Sequence, residues 1–85
     1  MRCDLQRQNL TSLVDRVPEG TTILDCSFNQ LDSLKGCPSS VIELSCGDNR
    51  LTSLQSCPDS VTTLRCGYNQ LTSLQGCPNS VENLS

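Results

Sequence analysis

The stretch VTTLRCGYNQLTSLQGCPNS, residues 61–80, decides the fold because the chain contains its pattern three times. The two preceding copies are VIELSCGDNRLTSLQSCPDS (41–60) and TTILDCSFNQLDSLKGCPSS (21–40). Leucine, cysteine, asparagine and proline recur in all three copies at a constant step, as from Leu24 to Leu44 to Leu64. A constant period over most of a chain predicts a solenoid, in which each repeat packs only against its neighbours.

The start of each copy has the pattern of a short strand. Leu44 and Cys46 are separated by a single residue, so their side chains face the same side of an extended backbone. We expect the strands of adjacent copies to stack about 4.8 Å apart in a parallel sheet. An asparagine follows each strand where the chain turns, and its amide can bond backbone groups of adjacent coils. We therefore predict an asparagine ladder, formed by Asn29, Asn49 and Asn69.

The full spacing, V-x-x-L-x-C-x-x-N-x-L-x-x-L-x-x-C-P, resembles the leucine-rich repeat, L-x-x-L-x-L-x-x-N-x-L. Its length and closing proline are most similar to the short bacterial-type class found in secreted effectors of enteric pathogens. It departs from that class by having cysteine at the second strand position and before the proline. The resemblance implies an α/β leucine-rich-repeat-type solenoid, a right-handed superhelix with a short parallel sheet on its concave face. Because each unit is short and contains proline, we expect an extended, polyproline-like convex side with little or no helix.

The first unit is a degenerate copy. Its LTSL segment at 10–13 matches LDSL at 31–34, so the step there is 21 rather than 20. Counting back by 21, Cys3 and Leu5 take the inward strand positions in swapped order, and Gln8 replaces the ladder asparagine. Terminal repeats deviate because one of their faces meets water. We therefore predict one leucine-rich repeat domain over residues 1–85, made of a capping repeat at 1–20, regular repeats at 21–40, 41–60 and 61–80, and the start of a further strand at 81–85.

Composition excludes several classes of function. The chain has no histidine, the usual general base, and shows neither a paired-carboxylate pocket nor a glycine-rich phosphate loop. We therefore predict that it is not an enzyme and binds no cofactor. Six basic residues against nine acidic ones, a net charge of -3 and no basic run argue against nucleic acid as a partner. The N-terminal residues carry no apolar run, so we predict neither a signal peptide nor a membrane segment, and a cytoplasmic location.

The seven cysteines occupy repeat positions, which favours core packing over disulfides or metal. Metal and iron–sulfur sites use close pairs such as C-x-x-C, whereas no two cysteines here stand so close in the sequence. Four sulfurs from two neighbouring coils remain the alternative, if the two rows of cysteines face each other. We predict no metal and a set of reduced core thiols, Cys3, Cys26, Cys37, Cys46, Cys57, Cys66 and Cys77.

The outward strand positions vary between repeats, so a ligand would bind there. The only two aromatic residues, Phe28 and Tyr68, both stand directly before a ladder asparagine, and Asp48 stands at the same position between them. Exposed aromatic rings beside charges are typical of protein interfaces. The alternative is that a tolerant exposed position holds aromatics by chance. The predicted partner-binding patch is Phe28, Tyr68, Asp48, Ile23, Asp25, Glu43 and Arg65.

Two functions fit these features. The first is a non-enzymatic module that binds a protein partner through its concave strand face, alone or within a longer array. The second is a structural repeat that dimerises or stacks head-to-tail through the strand edge at 81–85. The class that the chain resembles often joins its repeats to a catalytic domain, including ubiquitin ligases, but no such domain is present in these residues.

Overall fold

The structure, a computed structural model, describes all 85 residues as a solenoid of four coils and the strand of a fifth, with no helix. Each coil contributes one strand to a single parallel sheet, whose spatial order β1-β2-β3-β4-β5 follows the chain. The predicted solenoid with a short parallel sheet is confirmed. The strands are β1 (Arg2–Asp4), β2 (Ile23–Asp25), β3 (Glu43–Ser45), β4 (Thr63–Arg65) and β5 (Asn83–Leu84).

The strand register reproduces the spacing of the sequence. Leu44 pairs with Leu24 on one side and with Leu64 on the other, so the regular coils are in register at the step of the repeat. Cys3 pairs with Leu24, which is the longer step of the first unit. The first coil therefore places cysteine where the others place leucine, as the swapped order in the sequence predicts.

The core is one continuous cluster of buried side chains that extends along the solenoid axis. Its fifteen buried apolar residues are leucines, valines and cysteines from the repeat positions. Leu34, Leu54, Val41 and Val61 are fully buried, which shows that the convex half of each coil also points inward. The chain buries these side chains between coils rather than around a single centre, and this is how so short a protein forms a core without large aromatic residues.

The convex side has no helix, as predicted, but it is not one extended segment. Each regular repeat makes two hydrogen-bonded turns there, with the Cys37 amide donating to Leu34 (3.1 Å) and the Val41 amide donating to Pro38 (3.3 Å). The first turn needs a left-handed residue at its third position, which Gly36 supplies with φ 100°. The expectation of a continuous polyproline-like segment is therefore corrected: Cys37 ends the first turn and Pro38 begins the second.

The same turn locates the extra residue of the first coil. Asp15, with φ 62°, takes the place of Gly36, and the Arg16 amide donates to Leu13 at 3.0 Å. The extra residue therefore follows Asp15. Val17 then packs against the core, as Cys37 does in the next coil.

Candidate functional site

The asparagine ladder holds the strand ends of adjacent coils together. The Asn49 amide nitrogen donates to Cys46 (3.0 Å) and Gly47 (3.1 Å) in its own coil and to Cys26 (3.1 Å) in the preceding coil. Its oxygen accepts the amide of Leu31 at 2.9 Å. One side chain thus satisfies four backbone groups, three carbonyls and one N–H, and the predicted bonds between asparagine and backbone are confirmed.

The ladder changes at the first coil. Asn69 repeats the pattern of Asn49, whereas the Asn29 oxygen accepts two amides, those of Gln8 (3.0 Å) and Leu10 (2.9 Å). Gln8, the expected substitute for asparagine, contributes its backbone and leaves its side chain exposed. The ladder therefore ends at Asn29.

The four predicted strand residues lie at the outward positions of the sheet, flanking the buried leucine of each strand. Glu43 and Arg65 are exposed, and Ile23 and Asp25 are half-buried. Asp25 has a local role as well, because its carboxylate accepts the Ser27 amide at 3.1 Å and so closes the turn after β2. Glu43 and Arg65 both line a shallow cavity of about 550 Å³ on this face, together with residues 63–64 of β4 and residues 82–85.

The other three predicted residues form part of a column along the carboxyl ends of the strands. We call this set the rim column: Arg7, Phe28, Asp48 and Tyr68. All four have left-handed backbone, with φ of 58°, 60°, 54° and 57°. The column is continuous because the amides of its first three members each donate to a carbonyl of the next coil, Ser27 (3.3 Å), Gly47 (3.0 Å) and Gly67 (2.9 Å).

Arg7 is the member of the rim column that the sequence prediction missed. Its guanidinium carbon lies 4.1 Å from the centre of the Phe28 ring, a cation–π contact between neighbouring coils. The sequence does contain a signal for Arg7, because it lies 21 residues before Phe28. The same 21-residue step of the first unit places Cys3 and Leu5. The left-handed backbone had no comparable signal, since phenylalanine and tyrosine rarely adopt it.

Comparisons with known proteins agree with this architecture. Neither a protein-family model nor a curated protein sequence matches the chain. Among solved structures, the chain is similar to the LRR domain of a Shigella effector, with a TM-score of 0.64 and 30% sequence identity over 98% of this chain. The chain is a leucine-rich repeat domain. It covers 47% of the Shigella chain, so it spans about half the length of the structure that it matches.

The leucine-rich repeat domain places its cysteines in two rows along the core. Cys26, Cys46, Cys57 and Cys66 are buried, whereas Cys3, Cys37 and Cys77 are half-buried. Burial, reinforced by neighbouring thiols, raises the pKa of Cys26 and of Cys37 to about 12. Burial likewise raises the pKa of Cys57 to about 11 and moves the pKa of Cys46 well above its ordinary value. These environments favour the neutral thiol, the form that is neither a nucleophile nor a metal ligand.

The structure offers no grouping of three or more Cys, Asp or Glu side chains suited to holding a metal ion. None of its segments is a helix able to cross a membrane. The exposed side chains on the sheet side of the domain include the aromatic rings of Phe28 and Tyr68 and the charged groups of Glu43 and Arg65.

Proposed function

We propose that this leucine-rich repeat domain is a non-enzymatic module that binds a protein partner through its concave face and the adjoining rim column. Solenoids of this kind use their concave sheet as an extended binding surface. The predicted patch of Phe28, Tyr68, Asp48, Ile23, Asp25, Glu43 and Arg65 supplies both apolar and charged groups on that side.

The observation that carries the proposal is the backbone of the two aromatic residues. Phe28 and Tyr68 have positive φ although they are 42% and 86% exposed. Burial of the rings in the core therefore does not offset the backbone strain at either residue. A residue with a side chain costs about 1 kcal/mol more than glycine in the left-handed conformation. Glycine at these two positions would avoid that cost. Strain of this kind, kept on an exposed surface, is typical of functional positions.

The test is affinity capture with the wild-type domain and a Phe28→Ala/Tyr68→Ala double variant. We expect the wild type to retain a partner that the double variant loses, because exposed aromatic residues dominate the energy of protein interfaces. Val14→Ala is the matched control, since Val14 is 44% exposed on the convex side. Equal capture by all three proteins would contradict the proposal.

Self-assembly is a second candidate function, and it rests on exposed core positions. Leu74 and Leu84 are 53% and 43% exposed, although the equivalent leucines of the preceding coils are buried. Stacking of a second copy on this face would cover them, as would a further repeat. Light scattering that gives a strict 9.2 kDa monomer at all concentrations would count against self-assembly.

A reducing, cytoplasmic setting is part of the same proposal. The seven cysteines serve the core as thiols, and oxidation of the half-buried ones would disturb the packing of the coils. We expect the native protein to react slowly with a thiol reagent and all seven cysteines to react after unfolding. Rapid labelling of Cys26 or Cys46 in the native state would contradict this.

A further inference from the structure

The rim column contains one aromatic ring that a cation covers and one that it does not. Arg7 stacks on Phe28 at 4.1 Å, and no cation of the chain stacks on Tyr68. Arg65, in the same coil as Tyr68, is exposed and does not reach the ring in this way. The Tyr68 ring therefore presents an open face to solvent, with 86% of the residue exposed.

The missing cation follows from one difference within the column. The residue one coil before Phe28 is Arg7, and the residue one coil before Tyr68 is Asp48. Their backbones are nearly the same, with φ of 58° and 54°, so both side chains leave the column from equivalent positions. Aspartate is too short and of the wrong charge to stack on a ring.

Asp48 instead adds to the attraction of Tyr68 for a cation. Its carboxylate makes no hydrogen bond or ion pair within the chain. It starts about 4.8 Å from Tyr68 along the stack, the spacing of adjacent strands. The ring face and the carboxylate both favour positive charge. On the adjoining sheet face, Asp25 and Glu43 carry further negative charge and Arg65 carries one positive charge, so the acidic residues outnumber the basic one there.

We infer that Tyr68 and Asp48 form a docking site for an arginine side chain of a protein partner, which stacks on Tyr68 as Arg7 stacks on Phe28 and pairs with Asp48. Arginine fits better than lysine because its planar guanidinium can stack on a ring and bond a carboxylate with two N–H groups. The inference rests on the proposed function and specifies the chemistry of the partner at one end of the patch.

The experiment selects phage-displayed random dodecapeptides on the full chain and measures the selected peptides by fluorescence anisotropy. We expect the peptides to share an arginine, and replacement of that arginine by citrulline to abolish binding. Tyr68→Leu should weaken binding about three- to tenfold, the range for a cation–π contact that is partly desolvated. Tyr68→Phe is the matched control and should bind within about twofold of the wild type, because it keeps the ring.

Asp48 is tested with two variants. Asp48→Asn should weaken binding and reduce its dependence on salt, because one charge pair is lost. Asp48→Arg should abolish binding, because the new guanidinium repels the peptide and can cover Tyr68 from within the chain. Tyr68 is exposed and Asp48 is half-buried, and equal unfolding midpoints for all variants would show that the fold is unchanged.

The outcomes separate this inference from the proposed function. One outcome is that the selected peptides share no basic residue but bind the wild type and not the Phe28→Ala/Tyr68→Ala variant. That outcome would contradict the arginine site and would still support recognition through the concave face. The absence of any peptide sensitive to rim or strand substitutions overturns both. Loss of self-association in Tyr68→Leu would make a second copy of the chain the occupant, and would overturn the partner inference.

Discussion

The segments at 51–55 and 71–75 have the same sequence, LTSLQ, and different environments. Leu54 is fully buried, whereas Leu74 is 53% exposed. Leu51 is fully buried, and Leu71 is half-buried. The difference arises because the coil at 61–80 covers the coil at 41–60. In a solenoid, the contribution of a leucine at a given repeat position to stability therefore depends on how much of its side chain the next coil buries.

The largest expected effect comes from truncating the two equivalent leucines. Leu54→Ala should lower the free energy of unfolding by about 3–4 kcal/mol, because it leaves a cavity between coils. Leu74→Ala should lower it by less than about 1 kcal/mol, because half of that side chain already meets water. Urea unfolding followed by circular dichroism measures both. Equal losses would contradict this difference and indicate that another molecule covers Leu74 in solution.

The ladder asparagines extend the comparison to polar groups. Asn49→Ala should cost about 2–3 kcal/mol, because it leaves the buried Leu31 amide and Cys26 carbonyl without this partner. Asn69 makes the equivalent hydrogen bonds in a less buried setting. In the Asn69→Ala variant, water can therefore bond some of the backbone groups that lose the asparagine. We expect its cost to be about half as large. Urea midpoints of the two variants check this, and a larger loss for Asn69→Ala would contradict it.

The fold could be predicted from sequence because the period fixes strand positions, register and ladder together. Leu24, Leu44 and Leu64 had to align once the constant step between the copies was recognised. The rim column was only partly predictable, since its backbone is left-handed at Phe28 and Tyr68, residue types that do not indicate that conformation.

On the convex side the absence of a helix was predicted, but the positions of the two turns were not, for a related reason. Proline suggested an extended segment, whereas the glycine at position 36 signalled a tight turn. The signal was incomplete because serine occupies the same turn position at residue 56.

The buried Cys26 thiol makes stability depend on pH, by about 1 kcal/mol over one pH unit above its ordinary pKa. The pKa of Cys26 is about 12 in the folded protein against 9.0 for an ordinary thiol, so between these values the unfolded chain loses a proton that the folded chain keeps. Stability is therefore full below pH 9.0 and falls as the pH rises toward 12. Between pH 9 and 10 we expect the wild type to lose about 1 kcal/mol more than Cys26→Ala. Urea unfolding at the two pH values measures the difference, and equal losses would contradict it.

The smallest expected effect concerns the residue that follows the two LTSLQ segments, Ser56 in one coil and Gly76 in the next. Both have positive φ, 74° and 87°. Serine lacks the conformational freedom of glycine, so Ser56→Gly relieves strain while adding entropy to the unfolded chain. We expect a net stabilisation of about 0.5 kcal/mol.

The reverse substitution sharpens this test. A Cβ at Gly76 would lie 2.5 Å from the Gln55 nitrogen, where the turn comes close enough for the Leu54 amide to bond the Gln75 carbonyl at 3.0 Å. Gly76→Ser should therefore destabilise the protein even though its coil is the less covered of the two. Thermal midpoints of both variants decide the matter. A stable Gly76→Ser protein would mean that this turn can move away from the preceding coil, and that local backbone geometry matters less here than the cover that the next coil provides.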